Sequence, residues 1–300
     1  MDDRRAAITE VAFDAVRERA PDGSDVVLLE DTHDLTSVDF VVPASGTVDR
    51  LDELRSLDRL SVVQVLSAGT DRIEPYLPDH VTLCNARGAR DGPVAEWILG
   101  ALLGTSAGLL EYAGATSWNR YRTVEDLSEW TVLIVGMGSI GQRLRAYLQP
   151  IGAHVIGVGS RAHNGLHAPE ELPDLLPAAD AVVLLAPLSE ATEGMIGTEE
   201  LARMRDGTLL VNAARGAVVD TDALLAELER GRLRAVLDVV DPEPLPEDHR
   251  LWHARGLMSL TPHIAGDSPA GHANAAAFAG DQFARWCRGE ELRNIVRRGR

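Results

Sequence analysis

TVLIVGMGSIGQRLRAYL, residues 131–148, sets a short β-branched apolar run directly before a glycine-rich turn and a helical stretch. In such a strand–turn–helix unit, Gly136 permits the tight turn, Gly138 lets the backbone approach a pyrophosphate, and Gly141 lets the helix pack on the strand. The helical stretch QRLRAYLQ (142–149) follows, and unpaired N–H groups and the helix dipole at its N-terminus favour an anion, with Ser139 and Ile140 of the turn among the expected cofactor contacts. A GxGxxG says little by itself in a chain with 27 glycines. The strand before it and the helix after it make it a dinucleotide-binding unit, with a ligand-free structural turn as the bland alternative.

The following strand, HVIGVG (154–159), bears on which dinucleotide is bound. An NAD-preferring fold places Asp or Glu at its end to bond the ribose hydroxyls; this chain has Gly159, Ser160 and Arg161 there. A Ser hydroxyl and a guanidinium bind a 2′-phosphate that a carboxylate would repel. The reading is NADP(H) preferred and NAD(H) possible, the alternative being an Arg161 that merely faces solvent.

A chain of 300 residues with 45% hydrophobic content is long enough for two domains with substantial cores. No run approaches the roughly 20 apolar residues of a membrane span, and the acidic start MDDRRAAITE is unlike a secretory signal, so a cytoplasmic protein is expected. Cys84 and Cys287 form no CxxC pair and read as small packed side chains in a reducing compartment. The formal charge of −17, from 46 acidic and 29 basic residues, opposes binding to nucleic acid or an anionic membrane. Every one of those basic residues is arginine, which excludes a lysine Schiff base and a P-loop lysine. Screening over about 8 Å lets a local arginine hold an anionic ligand against distant surface acids.

Strand-like and helix-like segments alternate almost throughout. Strands are expected at VVLL (26–29), DFVVP (39–43), VVQVL (62–66) and VTLCNA (81–86), with a weaker first strand within 5–9. A long helix is expected over 94–110, and later strands at VVLLA (182–186), TLLVNA (208–213), AVLDVV (235–240) and MSLTPH (258–263). This alternation argues for an α/β fold with parallel sheets covered on both faces. The cofactor domain, 99–266, is inserted into a discontinuous substrate domain, 1–98 and 267–300. The Ala- and Gly-rich stretch after His263 then reads as a helix returning the chain to that domain.

Motifs along nearly the whole chain resemble the D-isomer-specific 2-hydroxyacid dehydrogenase family: SAGTDRI from Ser67, VAEWILGALL from Val94, VGMGSIG from Val135, APLSEATEGMIG from Ala186, VNAARGAVVD from Val211, LDVVDPEPLPEDHRLW from Leu237 and TPHIAG from Thr261. The resemblance implies two Rossmann-like doubly wound domains with a cleft between them and a homodimer formed through the inserted domain. It implies that Ala186, Pro187, Thr192, Ala213, Ala214 and Gly266 line the cofactor and that Asp238 orients the nicotinamide carboxamide. Within the family, the Gly159–Ser160–Arg161 turn resembles NADPH-preferring glyoxylate and hydroxypyruvate reductases.

The chemistry of reducing a 2-keto acid assigns further roles. Hydride transfer to C2 leaves an alkoxide, so a proton donor must stand beside the carbonyl oxygen, and His263 is the candidate. A carboxylate on the other ring nitrogen fixes the ring and favours the imidazolium, the role given to Glu243. Arg215 supplies the planar cation that matches the substrate carboxylate, with Ser67 and the backbone N–H groups of Ala68 and Gly69 sharing that anion. Singly, each has a bland alternative: a solvated Glu243 in an acidic loop, a strand-end His263, an ordinary turn Arg215. Their joint occurrence at strand C-termini favours catalysis.

His249 and His253 sit four residues apart, but no HExxH or third ligand accompanies them, and no metal is expected. ARGARDGPVAE (86–96) departs from the small polar stretch usual before VAE. Arg87 or Arg90 there either favours a dianionic substrate or faces water. Trp118, in TSWNRYR, either reaches a neighbouring subunit's active site or packs in an interface. The leading function is NADPH-dependent reduction of glyoxylate, hydroxypyruvate or a similar small 2-keto acid to the D-hydroxy acid. The alternatives are an NAD-linked dehydrogenase of a larger D-2-hydroxy acid and a dinucleotide-sensing binding protein of the same fold. A formate dehydrogenase is disfavoured, since the resemblance puts Gln where Glu243 stands.

Overall fold

A computed structural model describes residues 4–32, 34–44, 51–118 and 124–299; the tail of the TSWNRYR motif, 119–122, lies outside them. The chain divides into two compact units, 1–91 with 267–300, and 92–266. In chain order the first unit holds β1 (Arg5–Ile8), α1 (Glu10–Arg19), β2 (Asp25–Leu28), β3 (Phe40–Val42), α2 (Leu51–Leu54), β4 (Val62–Gln64) and β5 (Thr82–Cys84). Helix α3 (Asp91–Ser106) opens the second unit, followed by α4 (Leu109–Tyr112), β6 (Thr131–Val135), α5 (Ser139–Leu148), β7 (His154–Val158), α6 (Leu172–Leu175), β8 (Ala181–Leu184), α7 (Thr198–Arg203), β9 (Leu209–Asn212), α8 (Thr221–Glu229), β10 (Arg234–Leu237) and β11 (Leu257–Leu260). The chain then returns through α9 (Pro269–Cys287) to β12 (Ile295–Arg297) in the first unit. The first break falls within α3's opening turn because this helix runs unbroken and buries Ala95, Ile98 and Leu102 in the second unit's core.

In the second unit the order β11-β10-β9-β8-β6-β7 is wholly parallel. Alternate residues of each strand face opposite sides, so these strands need apolar cover twice. Leu133 and Val135 of β6 join a core with Leu172, Leu201, Leu224 and Leu228 from the helices on one side. Val132 and Ile134 join another with Ile98, Leu102, Leu144 and Leu148 of α3 and α5. Asp220 starts α8 by accepting the Ala223 N–H at 3.0 Å, a cap contributing about 1 kcal/mol.

The first unit repeats the plan with order β12-β5-β4-β3-β1-β2, parallel except for β12, which pairs antiparallel with β5. Ala6, Ile8 and Phe40 pack with α1 and α9, where Phe40 and Phe283 meet edge to face at 5.3 Å. Ala7, Val41, Val63 and Leu83 point to the opposite core. The Ala-rich stretch expected to be helical is α9, capped by Ser268 on the Gly271 N–H at 3.0 Å with Pro269 at its first position. No helix among the described residues is long and apolar enough to cross a membrane.

Candidate active site

In the second sheet the chain reverses direction of build at β6, which pairs with β7 on one side and β8 on the other. Open α/β sheets bind ligands outside the strand C-termini at such a switch. Gly136 follows β6 with φ +103°, and a Cβ there would stand 2.4 Å from the Ala186 nitrogen after β8. At Gly141 a Cβ would stand 2.9 Å from the Gly136 carbonyl oxygen, so helix α5 rests directly on the turn. The middle glycine differs: nothing lies within 4 Å of a Cβ on Gly138, and Gly138 caps α5 without a side-chain hydrogen bond. The open side of Gly138 and the leading amides of α5, beside half-buried Ile140 and exposed Ser139, make a cradle that fits a pyrophosphate.

Beyond β7 the chain folds back on itself. The Gly159 N–H donates to His167 O at 3.0 Å, and His163 Nδ1–H donates to Arg161 O at 2.9 Å. Glu171 closes this loop by accepting from His167 and from the Ala168 N–H, bonds that hold its carboxyl below the ordinary value. Ser160 and Arg161 are exposed, and the Arg161 side chain has no hydrogen-bond or ion-pair partner among the described residues. No acidic residue occurs from 159 to 168.

Across the sheet, past β10, Asp238 is almost fully buried at 4% exposure. Its Oδ1 accepts from Thr261 Oγ1–H at 2.7 Å and the Ile264 N–H at 2.8 Å, and its Oδ2 from the Ala265 N–H at 2.9 Å. The His263 N–H adds a bond to the Asp238 carbonyl at 2.8 Å. These contacts wrap TPHIAG around Asp238 and hold His263 in the left-handed region at φ +57°, uncommon for a residue with a side chain. The carboxylate that resemblance assigns to the nicotinamide carboxamide accepts from three donors of the histidine's own loop.

His263 itself donates through Nδ1–H to Glu243 Oε1 at 2.7 Å. A carboxylate oxygen only accepts, so the proton sits on Nδ1 and Nε2 is the nitrogen left for a substrate. Glu243 is half-buried between two cis X–Pro bonds, Asp241–Pro242 and Glu243–Pro244.

Arg215 follows β9 on a turn clamped by Asn212, 1% exposed. Asn212 Oδ1 accepts from the Ala214 N–H and its Nδ2–H donates to Arg215 O, both at 3.0 Å. The half-buried Arg215 donates through Nη1–H to Ala214 O at 2.7 Å. A Cβ on Gly216 would lie 2.0 Å from the Val240 carbonyl atoms, so the arginine turn lies directly on the segment leading to Glu243. Two sequence-nominated loops, carrying Arg215 and Glu243, are thereby held together. Asn212 had a signal, a polar residue ending a buried apolar run, but its role needs the turn geometry. Nearby, Thr192 Oγ1–H donates to Pro187 O at 2.6 Å and accepts from the Ser189 N–H, fixing the loop after Ala186, while half-buried Ala213 and buried Ala214 line the start of the arginine turn.

In the first unit, Ser67, Ala68 and Gly69 follow β4. Ser67 Oγ–H donates to Gly69 O at 2.7 Å, and Asn85 Nδ2–H donates to Ala68 O at 2.7 Å. The N–H groups of Ala68 and Gly69 have no acceptor among the described residues. His249 Nδ1 accepts from the Leu251 N–H at 3.2 Å, starting a short turn. Among the described residues no group of three or more His, Cys, Asp or Glu side chains could hold a metal ion.

Comparison with known proteins shows the family to which the chain is similar. The family model for the NAD-binding domain of D-isomer-specific 2-hydroxyacid dehydrogenases matches residues 101–265. Glyoxylate/hydroxypyruvate reductase B of Escherichia fergusonii is 30% identical over 84% of this chain and 83% of its own. Formate dehydrogenase 2 of Oryza sativa subsp. japonica is 32% identical over 88% of this chain and 73% of its own. The crystal structure of an NADPH-dependent glyoxylate/hydroxypyruvate reductase from Sinorhizobium meliloti, in complex with NADP and sulfate, superposes with a TM-score of 0.82 at 26% identity, covering 98% of each chain.

Proposed function

This chain belongs to the D-isomer-specific 2-hydroxyacid dehydrogenase family, an NAD(P)-dependent oxidoreductase family, and from that premise we propose that it reduces a small 2-keto acid to the D-2-hydroxy acid with NADPH. The observation carrying this reading is the His263–Glu243 pair at 2.7 Å, on a turn built by Asp238 and with the Glu243 segment packed against the Arg215 turn.

The dinucleotide supplies a hydride to C2 of the keto acid. Arg215 holds the substrate carboxylate with its planar fork. As negative charge grows on the carbonyl oxygen, protonated His263 delivers its Nε2 proton there, and the neutral ring keeps its Nδ1–H on Glu243. Glu243 fixes which nitrogen faces the substrate and stabilises the cationic ring before transfer. General acid catalysis of this kind contributes about 10²–10⁴-fold. Glu243 rather than Gln at this position supports keto-acid reduction over formate oxidation.

The amides opening α5, with Gly136, Gly138 and Gly141, would hold the pyrophosphate, and Ser160 with the partnerless Arg161 would hold the 2′-phosphate. Exposed Leu103, Leu109, Trp118 and Val124 on the inserted unit support the homodimer. Initial rates of NADPH and NADH oxidation against glyoxylate, hydroxypyruvate, pyruvate, phenylpyruvate and branched keto acids test the proposal. NADPH-dependent turnover of a small keto acid supports it; dinucleotide binding with no turnover of any would favour a sensory protein.

A further inference from the structure

Within the second unit, the loop after β7 carries a side chain that the reaction above does not use. Asn164 and Gly165 sit in the left-handed region at φ +49° and +78°, the pair of conformations that a tight two-residue hairpin turn requires. His163 and Leu166 flank them and exchange backbone hydrogen bonds, Leu166 N–H to His163 O at 2.9 Å and His163 N–H to Leu166 O at 3.3 Å. Leu166 is buried and takes the space that two glycines of the β7 segment leave open: a Cβ on Gly157 would stand 2.8 Å from Leu166 Cδ2, and one on Gly159 3.3 Å from Leu166 Cδ1. The His167 N–H then donates to Gly157 O at 2.9 Å, and the His167 ring pairs with Glu171. Anchored on both sides, the turn holds His163 against the end of β7.

The His163 ring is placed as well as its backbone. Its Nδ1–H donates to Arg161 O, and a Cβ on Gly159 would stand 3.5 Å from its Cε1, the carbon between the two ring nitrogens. The edge of the ring that carries both nitrogens therefore lies beside Gly159, in the segment where an NAD-preferring fold seats its ribose-binding acid. A carbonyl only accepts, so the Nδ1 proton is committed to Arg161 O; Nε2 has no partner among the described residues and, on the protonated ring, donates. The same segment meets the pyrophosphate cradle, since the Gly136 and Met137 N–H groups both donate to Val158 O at 3.0 Å. In a chain of formal charge −17, this acid-free loop offers a hydroxyl at Ser160, a guanidinium at Arg161 and an imidazole at His163, all exposed.

We propose that His163 is a third ligand of the dinucleotide's 2′-phosphate, alongside Ser160 and Arg161, and that its Nε2–H contributes to the choice of NADPH over NADH. This rests on the NADP reading of the Ser160–Arg161 turn and adds a specificity-determining residue to it. A phosphate monoester presents three acceptor oxygens and no carbon surface, so a hydroxyl, a planar guanidinium and an imidazolium are the donor types it takes. A charge-assisted bond at an exposed site of this kind contributes about tenfold in affinity.

The test is calorimetric binding of adenosine 2′,5′-bisphosphate and of 5′-AMP to the full-length protein near neutral pH, for wild type, His163→Ala, His163→Asn, His163→Gln and Arg161→Ala. The two amides separate the functions of the ring: that of Asn reaches the place of Nδ1 and still donates to Arg161 O, whereas that of Gln reaches the place of Nε2 and donates to a phosphate. The expected result is that His163→Ala and His163→Asn bind the bisphosphate about tenfold more weakly with 5′-AMP binding within about twofold of wild type, and that His163→Gln loses less than His163→Asn. A His163→Asn protein that binds the bisphosphate like wild type, or better than His163→Gln does, makes the ring a brace for the Arg161 carbonyl and overturns the proposal. A loss shared equally by 5′-AMP overturns it too, because the loop and not the phosphate contact has then been altered. Should only Arg161→Ala lose the bisphosphate, the assignment of His163 fails and the reading of Arg161 stands. Wild type binding both ligands equally overturns the NADP reading and this inference with it.

Discussion

Replacing Asp238 should damage the reaction without touching a residue that meets the substrate. Its buried carboxylate receives Thr261 Oγ1–H, Ile264 N–H and Ala265 N–H at 2.7–2.9 Å, and with the backbone bond from the His263 N–H to the Asp238 carbonyl it helps hold His263 in its left-handed turn. Asp238→Asn keeps one accepting oxygen but turns an amide N–H₂ towards at least one of these donors. Losing a single charge-assisted bond and burying the opposed donor costs about 2–3 kcal/mol. Asp238→Ala orphans all three donors and costs about 5 kcal/mol. For a unit of this size, 2–3 kcal/mol lowers Tm by about 5–10 °C. A His263 ring shifted by about 1 Å loses about 100-fold in kcat. Circular dichroism melting and steady-state kinetics, with NADPH affinity measured by fluorescence titration, read the three effects separately. An Asp238→Asn enzyme with wild-type Tm and kcat within about threefold of wild type would refute the positioning argument.

Three other outcomes follow from specific contacts. Gly216→Ala places a methyl 2.0 Å from the Val240 carbonyl, so it should lower stability by about 3 kcal/mol and raise KM for the keto acid; a normal melting curve would show that the two loops can separate freely. Arg161→Ala should raise KM for NADPH far more than for NADH, and combined with Ser160→Asp should reverse the preference. Ser160 is the better position, because a Cβ on Gly159 would sit 3.2 Å from Arg161 O. Unchanged cofactor ratios would remove Arg161 from the phosphate site. Burial pushes the Cys84 thiol up to about 11, so at pH 8 it should react with a disulfide reagent only after unfolding; rapid labelling of Cys84 in the native enzyme would contradict its placement in the core.

Much of this was legible in the chain because the signals are local. β6, the glycine turn and α5 are contiguous, and apolar runs such as 182–186 and 208–213 fell on β8 and β9 within a residue or two. The alternation of strands and helices gave the doubly wound plan. Harder to read were groups whose meaning depends on partners far away in sequence. Asn294 and Arg87 are 207 residues apart, Asn274 and Ala89 185. Strand β12 is three residues of unremarkable pattern, made a strand only by the edge of β5. Asp238 ends a strand in a motif that resemblance directs towards a cofactor, yet its nearest donors belong to TPHIAG. Asn212 falls inside the expected strand 208–213 and is the clamp of the arginine turn.

The central claim is that His263 gives a proton to a keto-acid oxygen while the dinucleotide is held elsewhere. Measuring kcat with the best keto acid and Kd for NADPH on His263→Ala tests it directly. The account predicts a loss of about 10²–10⁴-fold in kcat with Kd for NADPH nearly unaltered. Turnover close to wild type would remove His263 from the reaction and leave the Glu243 pair a structural contact.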